Sequence, residues 1–446
     1  MTDVIRPGDD GWDSARHAWN LVADQQPAMV ALPTNASEVA EAIQLARENG
    51  LRVAVQAGGH NAVALGPVGE DTLLLKTLRM TDSSVDAGAR RASAGAGAKW
   101  RDIGAPASAE GLAPLVGSSA EVGVAGFTLG GGLGWLGRKW GLACNSVTSI
   151  ELVTADGEVV RVDHDNEPDL FWALRGGGGS FGAVTEIEME LYPVPELYAG
   201  AMLWPWERSE EIIHAWREWI PGQPDEVSGC VRILQLPPIP DIPEPFRGRN
   251  LVGFEIALLG DEAAGAELVK PMRDLGPEFD LCQAMPPDAL GYIHMDPEDP
   301  VPGLSGHQML DDFPAEAVGP LLEAAGPGSD SHLLSVELRQ LGGALAREAP
   351  DAGALPGLSQ DFVMFSVGMP MTPEMGEAIH AANEAVTNAL EPWDSGVKYG
   401  NFTEAPTDSR MCYAPAAYDR LQDVKLRYDA DDLFRSNHPI PCAAAA

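Results

Sequence analysis

The run Val55-Gln56-Ala57-Gly58-Gly59-His60-Asn61 sets a histidine in a glycine turn directly behind a short β-branched strand. The strand, predicted over residues 51–56, follows a helix whose ends are legible. Asn35 is the N-cap with Glu38 three residues on, Val39, Ile43 and Ala46 share one face, and Gly50 is the stop. With an apolar strand at 29–32 ahead of it, the stretch reads as a small βαβ unit. Successive backbone N–H groups in a glycine turn form a concave anion site, and a residue without Cβ lets the backbone approach a diphosphate closely. A histidine placed there stands beside a cofactor rather than in a core. An ordinary surface turn is the competing reading.

Two further glycine clusters narrow the choice. Residues 177–182 (GGGSFG) match GxGxxG, but that dinucleotide fingerprint must follow a strand and open a helix. Here residues 169–175 read as a helix, and 184–191 alternate apolar and acidic residues as a half-buried antiparallel strand does. A Rossmann site is therefore excluded in favour of a helix-to-strand corner. The run 123–134 (GVAGFTLGGGLG) has too many glycines for a regular element, and Val124, Phe127, Leu129 and Leu133 lie between them instead of polar loop residues. It is expected to be a buried loop that approaches something flat or bulky. Three glycine turns and one histidine suggest a large phosphorylated cofactor lying across the first half of the chain.

At 446 residues the chain exceeds one typical core, so two domains are the default. It has neither a basic segment followed by an apolar leader nor a run long enough to span a membrane, which sets the expectation of a soluble, cytoplasmic protein without a membrane partner. A net charge of −37 repels nucleic acid and anionic lipid. Cys144, Cys230, Cys282, Cys412 and Cys442 are odd in number and scattered, against a disulfide framework or a structural zinc site. His294, His307, His332 and His380 lack ligand spacing, so no metal is expected.

Further strands are expected at 72–77 and at 149–153 and 158–162 around the Asp156-Gly157 turn. After Tyr192-Pro193-Val194-Pro195 the character changes to a tryptophan-bearing helix (Trp216, Trp219) and a proline-rich loop at 236–246. From Val397 an aromatic strand (398–402) precedes a basic amphipathic helix (417–428). The expected division is 1–195, 196–394 and 395–446.

Five motifs together resemble the FAD-linked oxidases of the vanillyl-alcohol oxidase superfamily, more closely the berberine-bridge-enzyme-like branch. They are AGGHN (57–61), GSSAEVGVAGFTLGGGLGWLGRKWGLACNSV (117–147), ELVTADGEVV (151–160), DLFWALRGGGGSFG (169–182) and YDRLQDVKLRYDADDLFRSNHPIP (418–441). The resemblance covers nearly the whole chain. It implies an α+β fold: a two-subdomain FAD-binding domain, a substrate domain with an antiparallel sheet backed by helices, and a C-terminal return to the FAD domain. It implies that His60 bonds the flavin 8α carbon and that Gly58, Gly59, His60 and Asn61 hold the diphosphate. Further cofactor contacts are implied at Ala57, Gly117, Ser118, Ser119, Val122, Gly123, Gly126, Thr128, Gly132, Val184, Tyr399 and Asn437.

The chain departs from the family pattern in places. Gln56 and Ala57 stand where many relatives have arginine and glycine. Ser119 stands where doubly linked relatives have a second, cysteinyl bond, so FAD is expected to be singly covalent through His60, with Cys144 a packing residue. A small residue, Val122, at the flavin C4a edge implies access for oxygen. Phe127 and Pro439 replace a histidine and an asparagine common among relatives. Of the candidate catalytic residues, Tyr399, with Asn401 in the YxN segment, reads as a base or orienting hydroxyl, or simply as an aromatic strand residue. Arg339 reads as an anchor for a substrate anion or carbonyl, or as a sheet-surface partner of Glu337, which shares its face while Gln340 takes the other.

The activity implied is oxidation of an alcohol or amine carbon of a small metabolite, with oxygen reduced to hydrogen peroxide. A dehydrogenase using another acceptor and a non-catalytic flavin-binding relative are the alternatives. Relatives act on sugars, alkaloids and polyketide-type metabolites, which leaves substrate and oligomeric state open.

Overall fold

A computed structural model describes residues 2–240 and 242–442. The βαβ unit forms as read. Strands Met29–Leu32, Thr72–Lys76 and Arg52–Gln56 run parallel in that spatial order, with helix Ala36–Glu48 burying Val39, Ala42, Ile43 and Ala46 against them. Asn35 Oδ1 caps the helix at the Glu38 N–H, 3.0 Å away, and the Glu38 carboxylate turns back to the Thr34 N–H at 2.8 Å. Asp3–Ile5 closes one edge antiparallel, and at the other the late strand Phe434–Arg435 pairs parallel with Val53 and Ala54.

A buried ion pair fastens that late strand. Lys425, in helix Pro415–Tyr428, donates to Asp429 Oδ2 at 2.5 Å and to the Ser180 carbonyl at 3.0 Å. The Asp429 carboxylate in turn accepts from the Leu433 and Phe434 N–H groups at 2.8 and 2.9 Å.

The second sheet is antiparallel, in the order Ser83–Asp86, Arg91–Gly95, Ala183–Glu190, Val147–Val153, Val159–Val162. Gly157, at φ 81°, makes the turn between its last two strands. Helix Pro168–Leu174 leads through Gly176 and Gly178, both at positive φ, into the strand Ala183–Glu190, so the GxGxxG run is the helix-to-strand corner expected.

The third sheet is wholly antiparallel and has eight strands. Seven lie in the order Phe279–Asp280, Tyr198–Pro205, Asn250–Leu258, Val227–Gln235, Ser335–Gln340, Phe362–Gly368, Leu304–Leu310, and Gln283–Ala284 adds to Tyr198–Pro205. Alternation divides its side chains. Val231, Ile233, Phe254, Ile256 and Leu338 pack under helices Ser209–Trp219, Ala315–Ala325 and Pro373–Leu390. The other face carries Arg232, Glu255, Glu337 and Arg339 and meets the glycine-rich half through Trp135. The architecture is α+β.

Two local readings are corrected. The run 123–134 is not irregular throughout, because Val124–Leu129 forms a helix whose apolar residues outweigh its internal glycine. Residues 398–402 are not a strand. Gly400–Phe402 is a short 3-10 turn: the Phe402 N–H bonds the Tyr399 carbonyl at 3.0 Å, and Asn61 takes the Gly400 carbonyl that a strand would commit to a ladder.

Candidate active site

The glycine turn leaves the strand Arg52–Gln56 at its C-terminal end. Gly59 has φ 86°, and a Cβ there would stand 2.8 Å from Gln56 Nε2 and 2.9 Å from Ala18 Cβ, so only glycine fits. The backbone N–H groups of Gly58, Gly59, His60 and Asn61 donate to no described residue, as an anion site requires. Their carbonyls are used instead: Trp19 and Asn20 donate to Gly58 and Gly59 at 2.9 and 3.3 Å. Trp19 then stacks on the His60 imidazole, with ring centroids 4.0 Å apart and planes at 18°. Burial pushes His60 down to about 4, partly offset by the Glu121 backbone, so the ring is neutral at physiological pH.

The second glycine loop abuts the first. The Cβ position of Gly123 lies 3.4 Å from Ala57 Cβ and 4.0 Å from the Gly58 nitrogen. Trp100 N–H bonds the Val122 carbonyl and Val124 N–H the Ala98 carbonyl, while Glu121 pairs with Lys99 at 2.6 Å and with Arg101. Phe127 fills the hollows over Gly117 and Gly132, where a Cβ would approach its ring to 2.8 and 2.7 Å. Ser119 Oγ accepts from the Glu121 N–H at 3.3 Å. Ser118 and Val122 stay partly exposed on this rim, and Gly126 is exposed.

The tail closes the arrangement. Asn61 Nδ2 donates to the carbonyls of Gly400 at 3.1 Å and Thr403 at 3.4 Å. Asn401 Nδ2 donates to the Phe127 carbonyl at 2.8 Å. The Tyr399 hydroxyl accepts from the Leu133 N–H at 2.9 Å, and the Tyr399 N–H donates to His307 Nε2 at 3.0 Å. Asn437 lies between Ser436, whose hydroxyl meets that of Ser180 at 2.7 Å, and His438, which donates to the Gly400 carbonyl at 2.8 Å.

Thus the turn 57–61, the loop 117–132, Tyr399 and Asn401 come together, and Asn437 sits in the tail held against them. The Val184 side chain is buried in the core cluster that also holds Val124, Ala125 and Leu129 of that loop, with Val122 and Phe127 packed against it. Sequence reasoning missed Trp19 and His438, which stand outside every glycine motif.

Three expectations need correction. Burial raises Tyr399 above the usual phenol range, so it holds its proton and does not drift toward phenolate. Arg339 is paired within the protein, with Glu337 as its partner. It donates to Glu337 at 2.6 Å and lies over the Trp135 ring at 5.0 Å, and the pair is buried instead of on a sheet surface. The histidines, unspaced in sequence, are not all isolated in space, for Cys230, His294 and Glu337 place possible ligand atoms within 4.8 Å of one another. His294 bridges Glu337, at 2.7 Å, and Glu255, while Arg232 and Arg339 pair with the same carboxylates.

The donor set fits FAD. Beside the four free N–H groups, His60 Nε2, Asn61 Oδ1 and Thr128 Oγ1 are buried without a hydrogen-bond partner among the described residues. Comparison with known proteins agrees. Residues 27–163 match the FAD binding domain family and residues 408–441 the berberine and berberine-like family. The structure of 6-hydroxy-D-nicotine oxidase from Arthrobacter nicotinovorans superposes with TM-score 0.81 at 26% identity, over 99% of this chain and 98% of that one.

The two matches and the superposition make the chain similar to the berberine-bridge-enzyme-like FAD oxidases of the vanillyl-alcohol oxidase superfamily. It is 38% identical to (R)-6-hydroxynicotine oxidase of Paenarthrobacter nicotinovorans over 204 residues, 45% of this chain and 44% of that protein. It is 27% identical to the FAD-linked oxidoreductase YvdP of Bacillus subtilis over 98% of this chain and 97% of that one. It is an FAD-dependent oxidoreductase. No helix among the described residues is long and apolar enough to cross a membrane.

Proposed function

We propose that this chain carries FAD on a single covalent bond to His60 and oxidises an alcohol or amine carbon of a small metabolite, with oxygen as the electron acceptor and hydrogen peroxide as product. His60 is the observation that carries the reading. Its imidazole is neutral, so a ring lone pair is available to a carbon electrophile, and the Trp19 stack fixes the ring plane against the turn. Ser119 offers no thiolate for a second bond, and burial pushes the Cys144 thiol up to about 12, which keeps it unreactive.

When bound, FAD supplies the hydride acceptor and returns the electrons to oxygen. The N–H groups of Gly58, Gly59, His60 and Asn61 bind the diphosphate. The Tyr399 hydroxyl, which accepts from Leu133 N–H, keeps its own proton to donate, and so orients rather than deprotonates. Asn401 braces that hydroxyl at 3.4 Å. In this reading residues 1–195 and 395–446 build the FAD domain and 196–394 the substrate domain.

The test is direct. Acid-precipitated protein is expected to stay yellow, and His60→Ala to release its flavin into the supernatant. Colour that washes out of the unmodified protein overturns the covalent assignment. A reduced flavin that oxygen fails to reoxidise with stoichiometric peroxide overturns the oxidase assignment.

A further inference from the structure

Trp19 holds the His60 turn twice over. Its backbone N–H donates to the Gly58 carbonyl at 2.9 Å, and its indole lies on the imidazole with ring centroids 4.0 Å apart. Asn20 adds a bond from its own N–H to the Gly59 carbonyl at 3.3 Å. The other side of this short segment is held by a distant piece of chain. The Trp19 indole N–H donates to the Glu298 carbonyl at 3.4 Å, and the Leu21 N–H to the Val301 carbonyl at 3.1 Å. The buried Asn20 amide pairs with Gly303 at both ends, giving Nδ2 to its carbonyl and taking its N–H on Oδ1, each at 3.0 Å.

Residues 296–303 (DPEDPVPG) therefore form a strap. Pro297, Pro300 and Pro302 fix their own φ and remove three N–H donors, so the run stays extended instead of coiling. Met295, at φ 55°, turns the chain out of the buried His294 network, and Gly303 delivers it to the strand Leu304–Leu310. Both ends of the strap are thus set by the large sheet. Among the described residues no hydrogen bond joins it to residues 57–61; it reaches them through Trp19 and Asn20.

We propose that Trp19 is a positioning residue for the attachment of FAD to His60, and that the strap sets it. The large sheet, acting through residues 298–303, Asn20 and Trp19, holds the imidazole in the orientation that bonds the cofactor. The inference rests on the single His60 bond proposed above and adds the element that controls it. The lone pair of an imidazole nitrogen lies in the ring plane, so ring orientation decides where the nucleophile points. The outer torsion of histidine is broad, and a face-on neighbour narrows it. Attachment forms one N–C bond to the flavin 8α carbon and breaks one 8α C–H bond. The electron pair of that C–H bond stays in FAD, while the 8α proton and the ring N–H proton are released. Oxygen then accepts the two electrons and two protons as hydrogen peroxide. The turn N–H groups hold the diphosphate whichever way the ring points, so binding and bonding are separable.

Full-length apo-protein, made under flavin limitation and mixed with FAD in aerated buffer, tests this by the growth of acid-stable flavin with time. Trp19→Leu is expected to slow attachment at least about threefold, and Trp19→Phe, which keeps a ring but not the bond to Glu298, to recover part of the rate. Asn20→Ala alters the strap contact and not the stack, and is expected to slow attachment at least about twofold. In a His60→Ala background, where FAD binds only reversibly, adding either change is expected to leave FAD affinity within about twofold, because the backbone bonds to Gly58 and Gly59 remain. An unchanged rate in Trp19→Leu overturns the positioning role, and an unchanged rate in Asn20→Ala overturns the strap's part in it. A loss of affinity as large as the loss of rate overturns both, since it marks a turn that has come apart. Absence of acid-stable flavin in the unmodified protein is a different result: it overturns the covalent reading, and this inference with it.

Discussion

Lys425→Met removes the cation that holds the end of the described chain against the strand feeding the His60 turn. The lysine stem is fully buried, so methionine keeps most of the packing and the loss is electrostatic. Asp429 would retain its two N–H donors from Leu433 and Phe434 but lose the ammonium at 2.5 Å, and the Ser180 carbonyl would lose its donor at 3.0 Å. Breaking one side of a buried pair costs about 3–5 kcal/mol, because the remaining charge is left uncompensated. The cost falls on the local docking of Phe434–Arg435 and not on the helix-backed sheet, which holds no hydrogen-bond or ion-pair partner of this pair among the described residues. Native-state hydrogen exchange at Val53, Leu433 and Phe434 reads that opening directly. Protection there is expected to fall by about 3–5 kcal/mol, or to the global limit if that is lower, with amides of Val227–Gln235 little changed. Adding Asp429→Asn is expected to restore much of it, since no bare charge remains. Unchanged exchange at Val53, or a double variant no better than the single one, refutes the reasoning.

Gly59→Ala combines left-handed strain of about 1–2 kcal/mol with overpacking of about 1–3 kcal/mol against Gln56 and Ala18. Because the strain sits beside His60, acid-stable flavin is expected to fall further than the unfolding midpoint does; equal losses would contradict this. For His294, burial and Arg232 push the imidazole down, but Glu255 and Glu337 outweigh them and raise it to about 9. A raised folded value means that its contribution to stability is full below the unfolded value of about 6.5 and is lost as pH rises through about 9. Urea titrations from pH 6 to 10 are expected to show that decline, and His294→Gln to flatten it.

The local elements were legible because their signals are local. Asn35 caps within three residues, the parallel strands are unbroken apolar runs, and the corner at 176–182 announces itself by glycine. The pairing of Arg339 with Glu337 was legible, but its burial was not, because alternation assigns a face but not what covers it. Only the register that sets Arg339 beside Cys230, and Glu337 beside Arg232, shows a buried charge network. His294 enters that network from a loop, and Trp19 reaches Glu298 across 279 residues, so neither has a spacing to read. The helix inside the run 123–134 escaped because glycine content outweighed the i, i+4 pattern of its apolar residues.

The pairing of Phe434 with Val53 has a temporal consequence. Roughly 380 residues separate the two partners, and a ribosome adding ~5–20 residues per second needs about 20–80 s to supply the second. Throughout that interval the strand that ends in the His60 turn has a bare edge, and Asn61 has no Gly400 to hold. The amino-terminal half therefore waits, incomplete, until residue 434 has been made. Loading of the flavin is expected to be a late event in the life of each molecule, one that a nascent chain released before residue 434 cannot reach.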